Sequence, residues 1–213
     1  VLTNYKLVIF DWDGTVMDSV ARIVSSLDEA ARLTGGLPEL SFDELKQMIG
    51  LSLDKGYSYL YPDAPIEKRD MWKKHYGEQF RELNTTSHSL YDGVMDVLTT
   101  LKTRGHLLSV ATGKSRPGLD RAIQETKTEH LFIATRTADQ TASKPDPLMI
   151  LSLLGELDIE PHEAVMVGDT SHDMLLAKNA GVDAIGITWG VHDESVLSEY
   201  APIAVIASLD ALL

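Results

Sequence analysis

The stretch Leu7-Val8-Ile9-Phe10-Asp11-Trp12-Asp13-Gly14-Thr15 sets how the rest of the chain is to be read. Four apolar residues in a row, without polar alternation, suit a strand buried on both faces, as in a parallel sheet covered by helices. Side chains alternate along an extended chain, so Asp11 and Asp13 point the same way at the carboxyl end of that strand, where open α/β sheets place their ligands. Trp12 points the opposite way and is expected to pack beneath the junction that follows. Two neighbouring carboxylates repel and desolvate one another unless a cation or a shared proton relieves them. The bland alternative is that they cap a turn at Gly14, since Asp is common in turns.

Working outward, short apolar runs recur at Leu107–Ala111, Leu131–Ala134, Ala164–Val167, Ala184–Ile187 and Ile203–Ile206, with helical patterns between them. That alternation predicts an α/β core with a parallel sheet. Asp146-Pro147 reads as a helix start, followed by Leu148, Leu151 and Leu154 at helical spacing. Thr170 or Ser171 caps a second helix that ends at Gly181. Between the first and second strands lie roughly a hundred residues, far more than a crossover needs. Most of them look helical: Val20, Ile23, Val24, Leu27, Ala30 and Ala31 share a face, Ser41-Phe42-Asp43-Glu44 is a capping box, and residues 65–86 form a charged helix. Tyr91-Asp92-Gly93 reads as the return turn. The division expected is a helical cap at 17–88 inserted into an α/β core of 1–16 and 89–213, with hinges at the junctions.

The composition, 44% hydrophobic and 24% charged, is that of a globule with a sizeable core. Without cysteine, the chain has no disulfides, thiolate metal sites or cysteine nucleophiles. Nineteen basic against 32 acidic side chains give a net charge of -13, which opposes broad contact with nucleic acid or an anionic membrane. No apolar run is long enough to span a bilayer, and the first residues lack a secretory signal, so the chain reads as cytoplasmic. Such an acidic protein needs a special device to hold an anion.

Gly168-Asp169-Thr170-Ser171-His172-Asp173 supplies a second pair of carboxylates. Asp169 leaves a strand end and Asp173 follows one helical turn later, so both face one point. Hard oxygen ligands with an open coordination shell suit Mg²⁺ rather than zinc. Taken singly, each also reads as a helix cap or a macrodipole partner, worth ~1 kcal/mol at most. Thr112-Gly113, at the end of the second strand, offers a hydroxyl and unhindered N–H groups for phosphoryl oxygens. Lys144, before Pro145, offers a point charge. Alone, Thr112 would be a turn hydroxyl and Lys144 a solvated loop charge; their order and placement lift them above that.

Asp11-x-Asp13-Gly14-Thr15, Thr112, Lys144-Pro145 and Gly168-Asp169-x-x-x-Asp173 together resemble the four motifs of the haloacid dehalogenase-like hydrolase superfamily. A cap inserted after the first motif is similar to its phosphoglycolate phosphatase-like members. The resemblance covers the whole chain and implies a Rossmann-like core, Mg²⁺ dependence and phosphoryl transfer through an aspartyl phosphate. On this likeness Asp11 is the nucleophile and a metal ligand. Asp13 is the acid and then the base, its backbone carbonyl also on the metal. Thr112 and Lys144 hold the phosphoryl group beside Gly14, Thr15 and Gly113. Asp169 binds Mg²⁺, and Asp173 orders the site from the metal's second shell. Ile49-Gly50-Leu51-Ser52 is similar to the family's specificity loop, with Ser52 and Lys55 the polar candidates for reading the leaving group; the alternative is a plain turn between helices. His172 falls at a variable position and is read as a loop residue, and Tyr57, Tyr59 and Tyr61 as cap packing. The activity expected is a Mg²⁺-dependent phosphatase of a small phosphorylated metabolite. The alternatives are a phosphotransferase or sugar phosphomutase using the same aspartates, and a catalytically silent binding or regulatory protein.

Overall fold

The computed structural model describes residues 2–213. The chain begins with β1 (Leu7–Phe10) and β2 (Met17–Asp18), then runs through α1 (Val20–Thr34), α2 (Phe42–Lys46), α3 (Leu53–Leu60) and α4 (Arg69–Glu78). A π-helical turn, Gln79–Leu83, prolongs α4. Next come β3 (Ser89–Leu90), α5 (Val94–Thr103), β4 (Leu107–Thr112), α6 (Arg116–Thr126), β5 (Ala134–Thr137) and α7 (Leu148–Leu157). The chain closes with β6 (Ala164–Gly168), α8 (Ser171–Ala180), β7 (Asp183–Ile187), α9 (Glu194–Ser198) and β8 (Ala204–Ile206).

Six strands form one parallel sheet in the order β5-β4-β1-β6-β7-β8, a Rossmann-like α/β arrangement. Alternate residues of the central strands feed two different cores: Val8, Phe10, Val110 and Val167 pack on one face, and Leu7, Ile9, Ala111 and Met166 on the other. Both faces are covered, which is why β1 reads as an unbroken apolar run. Phe10 lies opposite Val110 on one side and Val167 on the other. This register brings Asp11, Thr112 and Asp169 to the same carboxyl edge of the sheet.

Two expectations are corrected. The third strand is Ala134–Thr137, not the apolar run Leu131–Ala134: Leu131 is buried in a 3₁₀ turn, and Ile133 is 57% exposed. As an edge strand, β5 pairs on one side only, so its polar Thr and Arg side chains carry little penalty. In α7 the inward face is Met149, Ile150, Leu153 and Leu154, and Leu148 and Leu151 are exposed.

The helices between β2 and β3 bury their own core. Ile23, Val24, Leu27 and Ala30 of α1 pack with Leu45, Tyr57, Tyr61 and Trp72. Tyr57 and Tyr61 lie 5.5 and 6.1 Å from the Trp72 ring, whereas Tyr59 is exposed. Ser41 and Glu44 form the expected capping box. The charged helix of 65–86 starts instead with a 3₁₀ turn, Ile66–Lys68, and ends in the π turn at Leu83. β2 and β3 pair antiparallel, Met17 opposite Leu90 and Asp18 opposite Ser89, so a two-stranded ribbon joins this helical unit to the sheet. Among the described residues no helix is long and apolar enough to cross a membrane.

Candidate active site

Asp11 stands just beyond β1, its N–H bonded to the Val167 carbonyl at 3.0 Å, and is 1% exposed. Asp169 follows β6 directly and is fully buried. Thr170 caps α8: its hydroxyl accepts from the Asp173 N–H, and its own N–H donates to Asp173 Oδ2 at 3.0 Å. That box turns Asp173 back toward the sheet, and carboxylate oxygens of Asp11, Asp169 and Asp173 lie within 4.8 Å of one another. Two aspartates of this trio therefore come from the carboxyl ends of adjacent strands, and the third from the first turn of the helix that follows.

A buried lysine partly neutralises the trio. Lys144 Nζ donates to Asp173 Oδ1 at 2.6 Å and lies 2.9 Å from Asp11 Oδ1. Burial alone would lower its pKa, but Asp11 and Asp173 outweigh that and hold the ammonium above the usual lysine range. Asp11 is pushed up by burial, against the pull of Lys144. Asp169 is also pushed up, by burial and then by the charges of Asp173 and Asp11. One ammonium is thus paired with two of three buried carboxylates, and apart from it neither Asp11 oxygen has a hydrogen-bond partner. Asp169 accepts from the Thr15 hydroxyl at 2.8 Å and the Val191 N–H at 2.8 Å. An all-oxygen set with orphaned buried acceptors and excess negative charge fits a hard divalent cation.

Asp13 is not part of this trio but lines the same cavity as Asp11. Its Oδ1 accepts from the Ser19 hydroxyl at 2.6 Å, and both oxygens accept from Lys114 Nζ, at 2.9 and 2.8 Å. Thr112, 1% exposed, accepts the Lys114 N–H at 3.2 Å. A cavity of about 460 Å³ opens above Asp11, Asp13, Thr112 and Gly113, walled by the helical unit. Its roof includes Gly50, Leu51 and Ser52, so the loop dips toward the aspartates. A Cβ on Gly113 would meet the carbonyl oxygens of Gly50 and Leu51 at 2.4 and 2.6 Å. Ser52 caps α3 and donates its N–H to Ser143 Oγ at 2.9 Å, and Lys55 Nζ donates to the Ser143 carbonyl at 3.2 Å. Ser52 reaches the cavity, while Lys55 is tied down beside it.

Gly14 and Thr15, expected against phosphate, serve Asp169 instead. Gly14 has φ +81°, and a Cβ there would lie 2.2 Å from Asp169 Oδ2, while the Thr15 hydroxyl is committed to Oδ1. His172 is the second residue of α8 and donates Nε2–H to the Gln47 carbonyl at 3.1 Å; burial pushes its pKa down. Trp12 is fully buried, edge-on to Phe132 at 6.1 Å. Sequence reasoning missed Ser19 and Lys114, both on Asp13. It also missed the loop after β7, where a Cβ on Gly190 would meet Asp169 Oδ2 at 2.2 Å. The one signal in the sequence was a glycine shortly past a strand end, Gly190 after β7.

Comparison with known proteins places the chain in a family. The family model for haloacid dehalogenase-like hydrolases matches residues 8–187. The protein named Probable phosphatase IndB of Dickeya dadantii is 34% identical, over 94% of this chain and 88% of that one. Pyrophosphatase PpaX of Bacillus pumilus is 32% identical, over 99% and 96%. A haloacid dehalogenase-like hydrolase from Bacteroides fragilis shares the fold with a TM-score of 0.90 at 24% identity, over 98% of this chain and 100% of that one. The chain therefore belongs to the haloacid dehalogenase-like hydrolase family.

Proposed function

We propose that the protein is a Mg²⁺-dependent phosphatase that hydrolyses a small phosphorylated metabolite through an aspartyl phosphate on Asp11. The observation that carries this reading is Asp11 itself, a buried carboxylate lining the cavity whose one polar neighbour is the Lys144 ammonium, 2.9 Å from Oδ1. One Asp11 oxygen attacks phosphorus as the ester P–O bond breaks, and Asp13 gives a proton to the leaving oxygen. Water then attacks the same phosphorus, Asp13 takes its proton, and the acyl phosphate bond breaks to release inorganic phosphate and free Asp11. Thr112 and the backbone at Gly113 orient the phosphoryl group, while Lys144 offsets charge on Asp11 through its contact with that carboxylate. Asp11, Asp169 and the Asp13 backbone carbonyl would hold Mg²⁺, with Asp173 ordering them; when bound, the ion supplies positive charge opposite the phosphoryl oxygens.

Residues 17–88 act as a cap domain on the core of 1–16 and 89–213, its Gly50–Ser52 loop excluding bulk water and Ser52 reading the leaving group. A cavity of about 460 Å³ suits a metabolite-sized ester. The test is release of p-nitrophenol from p-nitrophenyl phosphate with Mg²⁺, which the wild type should perform and Asp11→Asn should not. Equal activity in both, or none in either, sinks the enzyme reading. A phosphosugar converted to its isomer without free phosphate would replace hydrolysis by phosphoryl transfer.

A further inference from the structure

We infer that Lys114 is a positioning residue: it holds Asp13 for the step that hydrolyses the aspartyl phosphate, and Phe80 of the helical unit holds Lys114 in turn. The inference rests on the roles given above to Asp11 and Asp13. The Lys114 ammonium grips both Asp13 oxygens, at 2.9 and 2.8 Å, with its side chain 13% exposed. It also sits 5.0 Å from the centroid of the Phe80 ring. An ammonium has three donors and no acceptor, so it can serve both carboxylate oxygens and a ring face together. Lys114 and Ser19 together occupy both Asp13 oxygens and so fix the direction of the carboxylate.

Phe80 is itself fixed from the hinge side. It lies in the π-helical turn, and such turns often mark functional positions. Its carbonyl accepts from Arg22 Nε at 2.9 Å, and the Arg22 guanidinium lies 5.3 Å from its ring centroid. Arg22 stands in the first turn of α1, just after the β2–β3 ribbon, and donates Nη1–H to the Thr86 carbonyl on the return strand of chain at 2.8 Å. Arg22, Phe80, Lys114 and Asp13 thus form a line from the junctions to the reacting group. Lys114 belongs to the core and Phe80 to the helical unit, so the hold on Asp13 is complete only with the two parts together.

The consequence concerns one half of the reaction. p-Nitrophenolate leaves without help from an acid, so attack by Asp11 on p-nitrophenyl phosphate needs Asp13 little. Hydrolysis of the aspartyl phosphate needs it as a base. In Lys114→Met, rapid-quench kinetics should show a burst of p-nitrophenol close to one per enzyme, then turnover slowed by roughly tenfold to a hundredfold. Acid-stable phosphate should accumulate on the protein. Lys114→Arg, which keeps the cation and stacks on Phe80, should restore turnover. Phe80→Leu should show the same accumulation with a smaller slowing, roughly threefold to tenfold, as befits one cation–π contact. Asp13→Asn is the reference that accumulates phosphoenzyme outright. If it does so while Lys114→Met slows without burst or phosphoenzyme, or Lys114→Arg is as impaired as Lys114→Met, the inference falls alone. If Asp13→Asn itself forms no phosphoenzyme, the assigned roles of Asp11 and Asp13 fall, and this inference with them.

Discussion

At the scale of single residues, the buried charges decide more than any apolar contact. Lys144 is fully buried, as are Asp169 and Asp173, with Asp11 1% exposed. Breaking a buried ion pair by removing one partner leaves uncompensated charge and costs about 3–5 kcal/mol. Lys144→Met, similar in volume, should therefore lower the unfolding free energy of metal-free protein by that amount in urea titration. A cost below about 1 kcal/mol would mean that the lysine does not compensate the carboxylates. The four aspartates and Lys144 were legible because their chemistry is written in residue type and in position after apolar runs. Lys114 was not, since a lysine in a polar loop looks solvated until the fold brings Asp13 under it. Gly14 and Thr15 were legible as important, but their task was not: only the register of β1 beside β6 shows that both face Asp169.

Among elements, the loop between α2 and α3 ties the helical unit to the site most tightly. The Gly50 and Leu51 carbonyls occupy the space that a Gly113 side chain would fill, at 2.4 and 2.6 Å. Backbone cannot step aside as a flexible side chain can, so Gly113→Ala should unseat the loop while β4 keeps its place. The expected results are at least roughly tenfold slower turnover, as the roof no longer excludes water, and lost hydrogen-exchange protection at the Ser52 amide, now bonded to Ser143. Unchanged protection and rate would show that the contact is incidental. Elements buried on both faces were readable from sequence, and β1, β4, β6 and β7 lie where their apolar runs stand. The misreadings fall where burial is one-sided. β5 is an edge strand whose polar residues hide it, and α7 is apolar nearly all round, so leucine spacing alone could not tell its inner face. The π turn has no marker in residue type, because it reflects how Arg22 and Asn84 bind the chain around it.

Over the whole molecule, the acidity has a definite place. Residues 16–88 hold 12 acidic and 9 basic side chains, leaving 20 and 10 for the rest, so most of the excess lies in the α/β core, where three buried carboxylates cluster and one lysine pairs with two of them. The sequence showed that excess and the motifs that concentrate it, and so the class of ligand; it could not show the depth of burial, which turns a surplus of charge into a demand for a cation. A cation bound only by the folded state stabilises it by mass action, about 2.7 kcal/mol at a hundred times its dissociation constant. For a chain of this size that is a rise in Tm of about 5–10 °C. Mg²⁺ should produce this rise in wild-type protein, and Asp169→Asn, which weakens the cluster, should largely abolish it. The same field acts on the substrate: without a cation, a phosphate dianion entering above Asp11 meets net repulsion from the buried carboxylates. Methylphosphonate, which cannot be hydrolysed, should therefore bind in calorimetry with Mg²⁺ present and show no heat of binding after chelation. Equal affinity in chelated protein would mean that Thr112, Gly113 and the lysines suffice to hold the anion, and that the metal is needed for turnover alone.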